Sequence, residues 1–546
     1  MRKHVSQCIA GGGMLLGLIA CSGDSLNVVN VNDPDVARAY STPAGVEAVV
    51  AGLGVQLNNT QRATESVNTQ ARILSGENIA SVANFGMAAR SQIPRSIISN
   101  ELGNDNQSGN LANFNQFSRV SRTASNAIAA VNRLLTAGVT IGSPAQDARA
   151  KAFAFFILGQ SLGNLSLAYD SAAIVTPATP SDVVPGLSSA AQVNAAALQM
   201  LDSAIAIANS PAATTGANGF PLPTTWISGV AVTRDGFVRL ARSFKARFRA
   251  GVARNAAQRA AVNWPLVIDD ATNGITADHN ITLGGTTGWS AAYDFNQMYV
   301  VGGWHAVPYY YYGMADVSGS YDAWLATARD SRSDFTVVTP DTRWPRGNTR
   351  AAQQATAPTL ALPTGVYFRN RPTGEDVPLV GPGDSQYDHR RYGAQWLNSV
   401  QGPYTDMSKT EMDMLAAEGH IRGGNLSAAA ALVNVTRLKN GLDPIGTVAS
   451  ATAPYSTDLT KCVPRVPVAP NFTSTACGSL LEAMKYEKRM ETAYTGYFIW
   501  MADNRGWGDL VEGTVVEWPV PYQEMQARQK PYYNGTNRAP RGTYGF

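Results

Sequence analysis

Residues 409–438 read KTEMDMLAAEGHIRGGNLSAAAALVNVTRL. Met412, Leu415, Ala416 and Ile421 recur at the spacing of one helix face. Gly423-Gly424-Asn425 then supplies residues that tolerate the left-handed backbone of a helix end. An alanine-rich segment from Leu426 to Leu438 runs back. Two helices joined by so short a turn lie antiparallel. The stretch therefore predicts a helical hairpin in the style of tetratricopeptide units. No strict repeat period accompanies it.

Outward from the hairpin, the same period marks further helices. Val46, Val49, Val50 and Leu53 begin one after Thr42, and Phe117 to Leu135 form an amphipathic one. Ala150 to Tyr169 is apolar nearly all round and reads as buried, and Ala190–Ala208 with Arg234–Asn255 form another helical pair. A last helical block runs from Ser479 to about Asn504. Residues 103–113, rich in Gly, Asn and Ser, read as a loop. From Trp264 to Gln401 the helical period fades, and Gly, Pro, Thr and aromatics predict turns and short strands. Trp518 to Phe546 reads as Pro-, Tyr- and Gly-rich coil.

The N-terminus reads as an address. Arg2, Lys3 and His4 precede an apolar run from Ile9 to Ala20 that is too short to span a bilayer. It ends Leu18-Ile19-Ala20-Cys21, the pattern of a bacterial lipobox. Residues 1–20 are then a signal peptide, and Cys21 carries the acyl anchor as the first mature residue. Ser22 at the sorting position points to the outer membrane. Cys8 leaves with the signal. Cys462 and Cys477 remain, an even pair that predicts a disulfide in an oxidising compartment, with two free thiols as the alternative.

In these blocks the chain resembles the SusD/RagB family of outer-membrane lipoproteins. Glu411 to Glu418 with Arg422, Gly423 and Asn425 is similar to the family's "E…LL.AEA..R.G" helix and turn. Asn434 and Arg437 fit its return helix. Glu487, Arg489, Glu491, Gly496 and Arg505-Gly-Trp507-Gly508 resemble its "E.R.E…G.R..D.RRWG" block, interrupted here as Asn504-Arg505-Gly506-Trp507. Pro519, Pro521 and Glu524 fit its tail, and Phe155 to Asp170 its early helix ending in "lAYD". The resemblance implies a mainly α fold of tetratricopeptide-like helical pairs with a long irregular insertion. It divides the chain into a signal (1–20), a lipidated tether (21–41), an N-terminal helical region (42–263), a variable insertion (264–401) and a C-terminal helical region with a coil tail (402–546). It implies a non-catalytic surface protein that binds a nutrient, a glycan or a peptide, and delivers it to a SusC-like TonB-dependent barrel. No cofactor is implied. The matched Glu, Arg and Trp positions are expected to be scaffold.

Composition bounds the function. Of 546 residues, 45% are hydrophobic and 15% charged, and the net charge is +3. A near-balanced, weakly charged chain makes no electrostatic case for nucleic acid. The basic run Arg234, Arg239, Arg242, Lys245, Arg247, Arg249 and Arg254 reads as a solvated helix face. Between Trp289 and Trp324 stand eleven aromatics in 36 residues, against 9% for the chain. Four consecutive tyrosines, Tyr309 to Tyr312, cannot all face a core if extended. A sugar ring packs its apolar C–H face on an aromatic ring, so Trp289, Tyr299, Trp304, Tyr309 and Tyr311 are the candidate ligand platforms. A satellite core and a contact surface for the transporter are the alternatives.

Catalytic signals are weak. Gly159-Gln160-Ser161-Leu162-Gly163 fits the hydrolase elbow G-x-S-x-G but continues as helix, where an elbow needs a strand and a sharp turn. A surface hydrolase of polysaccharides or esters is therefore the alternative function, without a placeable acid–base pair. No His spacing suits zinc. Asp384, Asp388 and His389 could offer oxygens to a structural calcium ion, though a solvated loop is the simpler reading.

Overall fold

The computed structural model describes residues 39–546 except 64–65, 81–86, 104–107, 181, 216–218, 293, 295–304 and 378–382. It is built mainly of helices: α1 Pro43–Gln61, α2 Val67–Leu74, α3 Ser108–Thr136, α4 Pro144–Ala168, α5 Ala190–Ala208, α6 Arg234–Gly251, α7 Trp264–Thr272, α8 Tyr309–Tyr312, α9 Lys409–Arg422, α10 Leu426–Lys439, α11 Leu480–Thr492 and α12 Ile499–Trp507. Many helix starts carry side-chain caps. The side chains of Thr42, Ser143, Thr233, Ser408 and Ser479 each accept from the backbone N–H three residues on, and Pro43 and Pro144 occupy the first turn. Ser189 and Gln192 complete a capping box at α5. At α3 the expected loop gives way early, because helix begins at Ser108.

The helices stack in series. α3 packs on α4, α4 on α5, α5 on α6, α6 on α7, α7 on α9, and α9 on both α10 and α11. Small residues permit the closest approaches. A Cβ on Gly163 would lie 2.3 Å from the Phe248 ring, and one on Gly159 would press on Leu201. The G-x-S-x-G run is thus a helix-packing surface inside α4. Ser161 is fully buried and donates to the Phe117 carbonyl at 2.7 Å.

Among the described residues, five antiparallel two-stranded ladders accompany the helices: β1 Ile79–Ala80 with β5 His305–Ala306, β2 Ser171–Ala173 with β3 Leu187–Ser189, β4 His279–Leu283 with β8 Gly402–Met407, β6 Phe368–Asn370 with β7 Tyr387–His389, and β9 Arg465–Pro467 with β10 Thr475–Cys477. β4 and β8 pair Ile281 with Tyr404 and Leu283 with Gly402, so the insertion leaves and re-enters the scaffold side by side. Its start differs from the boundary read at 264. Trp264–Thr272 is helix and packs between α6 and α9. Asn263 caps it and Pro265 opens it, signals outweighed in the sequence by the aromatic and glycine content downstream. Cys462 and Cys477 are bonded, as expected.

Buried arginine–carboxylate pairs join the layers. Arg247 of α6 grips Glu411 of α9 with two bonds of 2.7 Å. Arg259 meets Glu418 at 3.0 and 2.6 Å and also Asp503 of α12 at 3.2 Å. Arg343, inside the insertion, reaches Glu487 at 3.0 Å and Glu491 at 3.2 Å, one turn apart on α11. These are the resemblance's Glu positions, and each sits in the core. The basic run on α6 is likewise less solvated than expected. Lys245 and Arg249 meet Asp270, Arg254 meets Glu517, and Lys245, Arg247 and Arg254 are buried.

Glu418 links this core to pH. Burial works against its charge, but the Arg259 guanidinium outweighs burial and holds the carboxyl at about 2. A depressed folded-state pKa contributes stability above the unfolded value and loses it as pH falls. The gap corresponds to on the order of 3 kcal/mol, lost between about pH 4.5 and pH 2. Glu418→Gln should destabilise the protein at pH 7 by about 2–3 kcal/mol by removing the bidentate partner of Arg259 and leaving it Asp503, and should flatten the acid limb of the stability curve measured by urea unfolding. An unchanged acid limb would locate the acid sensitivity elsewhere.

Candidate functional site

The tyrosines of α8 are core. Tyr309 to Tyr312 form a single helical turn, which splays consecutive side chains around an axis instead of alternating them between two faces, and all four are buried. Tyr312 stacks on Trp500 at 5.4 Å, Tyr310 meets Phe546 at 4.9 Å, and Tyr309 lies on Phe335 at 4.0 Å. Three of the four hydroxyls are spent on the protein. Tyr309 binds Asp334, Tyr311 donates to the Asp509 carbonyl at 2.7 Å, and Tyr312 to the Glu77 carbonyl at 3.1 Å. Burial raises the pKa of the Tyr310 phenol to about 12. The expectation that Tyr309 and Tyr311 carry ligand is therefore corrected. These rings are the satellite core that welds the insertion to α12 and the C-terminus.

Trp289 is also packed, with 7% of its surface exposed. It lines a cavity of about 30 Å³ together with Arg62, Asp406, Gln160 and His279. That volume suits a water or two, not a sugar ring. The proposed ligand role of Trp289 is corrected on that ground. Tyr299 and Trp304 lie outside the described residues, as does Cys21.

The loop reading of Asp388 is corrected too. Its carboxylate is buried on the β6–β7 ladder among Arg369, Arg371 and Arg390 at 3.0, 3.2 and 2.6 Å. Burial disfavours its charge, and the three guanidinium groups overcome this to hold the pKa well below the usual carboxylate range. An oxygen so occupied by cations is unsuited to calcium. His389 packs against Phe368 and Tyr494, and burial pushes its imidazole down to about 3.

The accessible rings lie in the tail. Among the described residues, Tyr532 and Tyr533 are the aromatics that stand exposed, at 41% and 39%. Tyr522 meets Tyr532 edge-on at 6.3 Å. A buried Asn100 positions them. It accepts from the Tyr522 N–H at 3.0 Å and donates to the carbonyls of Val520 at 2.8 Å and Tyr533 at 3.0 Å. Tyr533 donates to Asp170 at 2.7 Å, and Asn534 donates to Glu101 at 3.3 Å. Burial, with the Asp170 carboxylate beside it, raises the Tyr533 phenol to about 12. Burial pushes the Asp170 carboxyl up while Tyr533 and Ser171 oppose it. Two outward rings bordered by amide and carboxylate groups can stack on an apolar sugar face and bond its hydroxyls. The sequence held a faint signal, the Pro531-Tyr-Tyr-Asn-Gly535 run inside coil, which the denser aromatics of the insertion outweighed.

No group of three or more metal-ligating side chains occurs among the described residues, and no described helix is long and apolar enough to cross a membrane. A core role for α8 makes a direct expectation: Tyr312→Ala should cost about 3–5 kcal/mol in unfolding free energy, whereas Tyr532→Ala should change it by less than about 0.5 kcal/mol.

No protein-family model matches the sequence, and no curated protein matches it. Solved structures do. A SusD superfamily protein from Bacteroides thetaiotaomicron is similar over 90% of this chain and 98% of its own, at 13% identity and a TM-score of 0.55. A SusD homolog from the same organism is similar over 90% and 98%, at 12% identity and 0.54. A SusD homolog from Parabacteroides distasonis is similar over 89% and 93%, at 14% identity and 0.52. The fold is the SusD-like one: mainly α, with helical pairs and short strand ladders.

Proposed function

We propose that this SusD-like chain is a non-catalytic, surface-anchored binding lipoprotein whose ligand is a glycan, and that it hands that ligand to a SusC-like TonB-dependent barrel in the outer membrane. The observation that carries the binding half is the exposed Tyr532–Tyr533 pair, held by Asn100 and bordered by Asp170, Glu101 and Asn534. Ser161, the one residue in a hydrolase-type motif, is sealed in α4 and spends its hydroxyl on a backbone carbonyl, which favours binding over turnover. The transporter comes from the family resemblance in the sequence, the acyl anchor from the lipobox that ends at Cys21, and the preference for glycan over peptide from the exposed rings.

Titration of the protein with a panel of oligosaccharides and peptides, read by calorimetry and by product release, tests this function. Binding of an oligosaccharide without turnover is expected. Tyr532→Ala should weaken it by roughly 2 kcal/mol, about thirtyfold, with the melting temperature unchanged. Trp304→Ala, from the aromatic segment read in the sequence, should weaken binding similarly if that ring shares the ligand. Selective binding of peptides would replace the glycan, and released product would make the protein an enzyme.

Anchoring is tested separately. Intact mass of the protein from native membranes should correspond to a chain starting at Cys21 with added acyl mass, and Cys21→Ser should yield a soluble periplasmic form. A mature form starting elsewhere would remove the anchor from the proposal.

A further inference from the structure

A cavity of about 600 Å³ opens between the corner that follows α6 and the C-terminal tail. That is within the range of sites that enclose small ligands. Leu510 and Val516 contribute apolar surface, Arg254 and Gln258 line one side, and Asn537 and Arg538 line the other. Among the described residues no aromatic side chain lines it, so it differs in kind from the tyrosine pair.

Its charges do not balance. Arg254 meets Glu517 at 2.9 Å and also donates to the carbonyls of Ser166, Leu167 and Tyr169. The second oxygen of Glu517 accepts from Asn537 at 3.1 Å. Arg505 also lines the cavity and is buried, yet its hydrogen bonds go to the neutral carbonyls of Gly251, Ala253 and Val516 at 2.8, 3.0 and 2.7 Å. Burial, with Arg254 next, pushes its pKa well below the ordinary arginine value. Arg538 stands exposed at the tail. Three guanidinium groups thus share a concave space with one carboxylate that is already engaged. Low-dielectric walls focus such a field on whatever enters. A neutral sugar gains little from it, whereas a carboxylate gains charge-assisted bonds and relieves the uncompensated cation.

We propose that this cavity is a second ligand site, selective for a uronic acid unit of an oligosaccharide, with Arg538 and Asn537 as donors to its carboxylate and the field of Arg505 and Arg254 behind them. The carboxylate preference stands on the cavity; its placement on a sugar rests on the glycan reading above.

The test is calorimetry on the full mature chain with trigalacturonic acid, neutral galactotriose and an acidic tripeptide of aspartate, for the wild type, Arg538→Glu and Tyr532→Ala. Trigalacturonate should bind, and its affinity should drop at least tenfold in Arg538→Glu at an unchanged melting temperature. It should also fall several-fold between low and high salt. Arg538→Lys should recover part of the loss. Trigalacturonate binding indifferent to Arg538→Glu, or absent while galactotriose binds, overturns the cavity and leaves the glycan function standing. Aspartate peptide bound through Arg538 in place of the uronate overturns the sugar assignment. Failure of both sugars takes the glycan function down with it.

Discussion

The structure depends on guanidinium groups that have been taken out of water and must be met. Isolated, a buried arginine is among the most costly groups a core can hold; paired with a carboxylate and saturated by carbonyls, it becomes a constraint on register. Arg247 to Glu411 and Arg259 to Glu418 tie α6 and its corner to α9 across the entire insertion. Arg343 ties the insertion itself to α11 by facing two glutamates one turn apart. Slipping α11 by a residue would rotate Glu487 and Glu491 away from Arg343 and leave Asp341 as its one carboxylate partner at 2.7 Å. Apolar surface drives these helices together, but it is tolerant of sliding; the ion pairs are not.

Gly506 shows how tightly the pairs are housed. A Cβ there would lie 3.0 Å from the Arg259 side chain, so the interrupted block Asn504-Arg-Gly-Trp507 keeps a bare backbone where that arginine passes. Trp507 closes over the same cluster, within 5.8 Å of Arg259 and 5.1 Å of Arg489. Asn434, inside α10, anchors the segment that follows the helix. It both donates to and accepts from the backbone of Ile445 at 2.9 and 2.8 Å, fixing the chain as it leaves the helix.

The same economy governs binding surfaces. Among the described residues, the rings of the insertion fasten it: Tyr311 and Tyr312 reach Trp500, and Tyr310 and Trp324 reach the C-terminal Phe546. The rings that stand exposed among the described residues lie in the tail. Its position comes from Asn100 and Asp170, residues far away in sequence, so the tail can present rings outward without being free to wander.

The presence of the main helices, the hairpin at 409–438, the disulfide partners and the buried character of α4 were legible in the amino-acid sequence, because turns and periodicity are local and obey the backbone's own geometry; the starts of α3 and α4 were read several residues late. The resemblance also marked Glu411, Glu418, Glu487 and Glu491 as scaffold, without their partners. Those partners were not legible: Arg247, Arg259 and Arg343 lie far from them along the chain, and one of them sits in a segment that resembles nothing. Nor was the fate of the tyrosines. Composition counts rings but does not say which way they turn, and a single helical turn at 309–312 was enough to send all four inward. Burial is a property of what packs against a residue from elsewhere in the chain, so the choice between core and platform was made only by the tertiary structure.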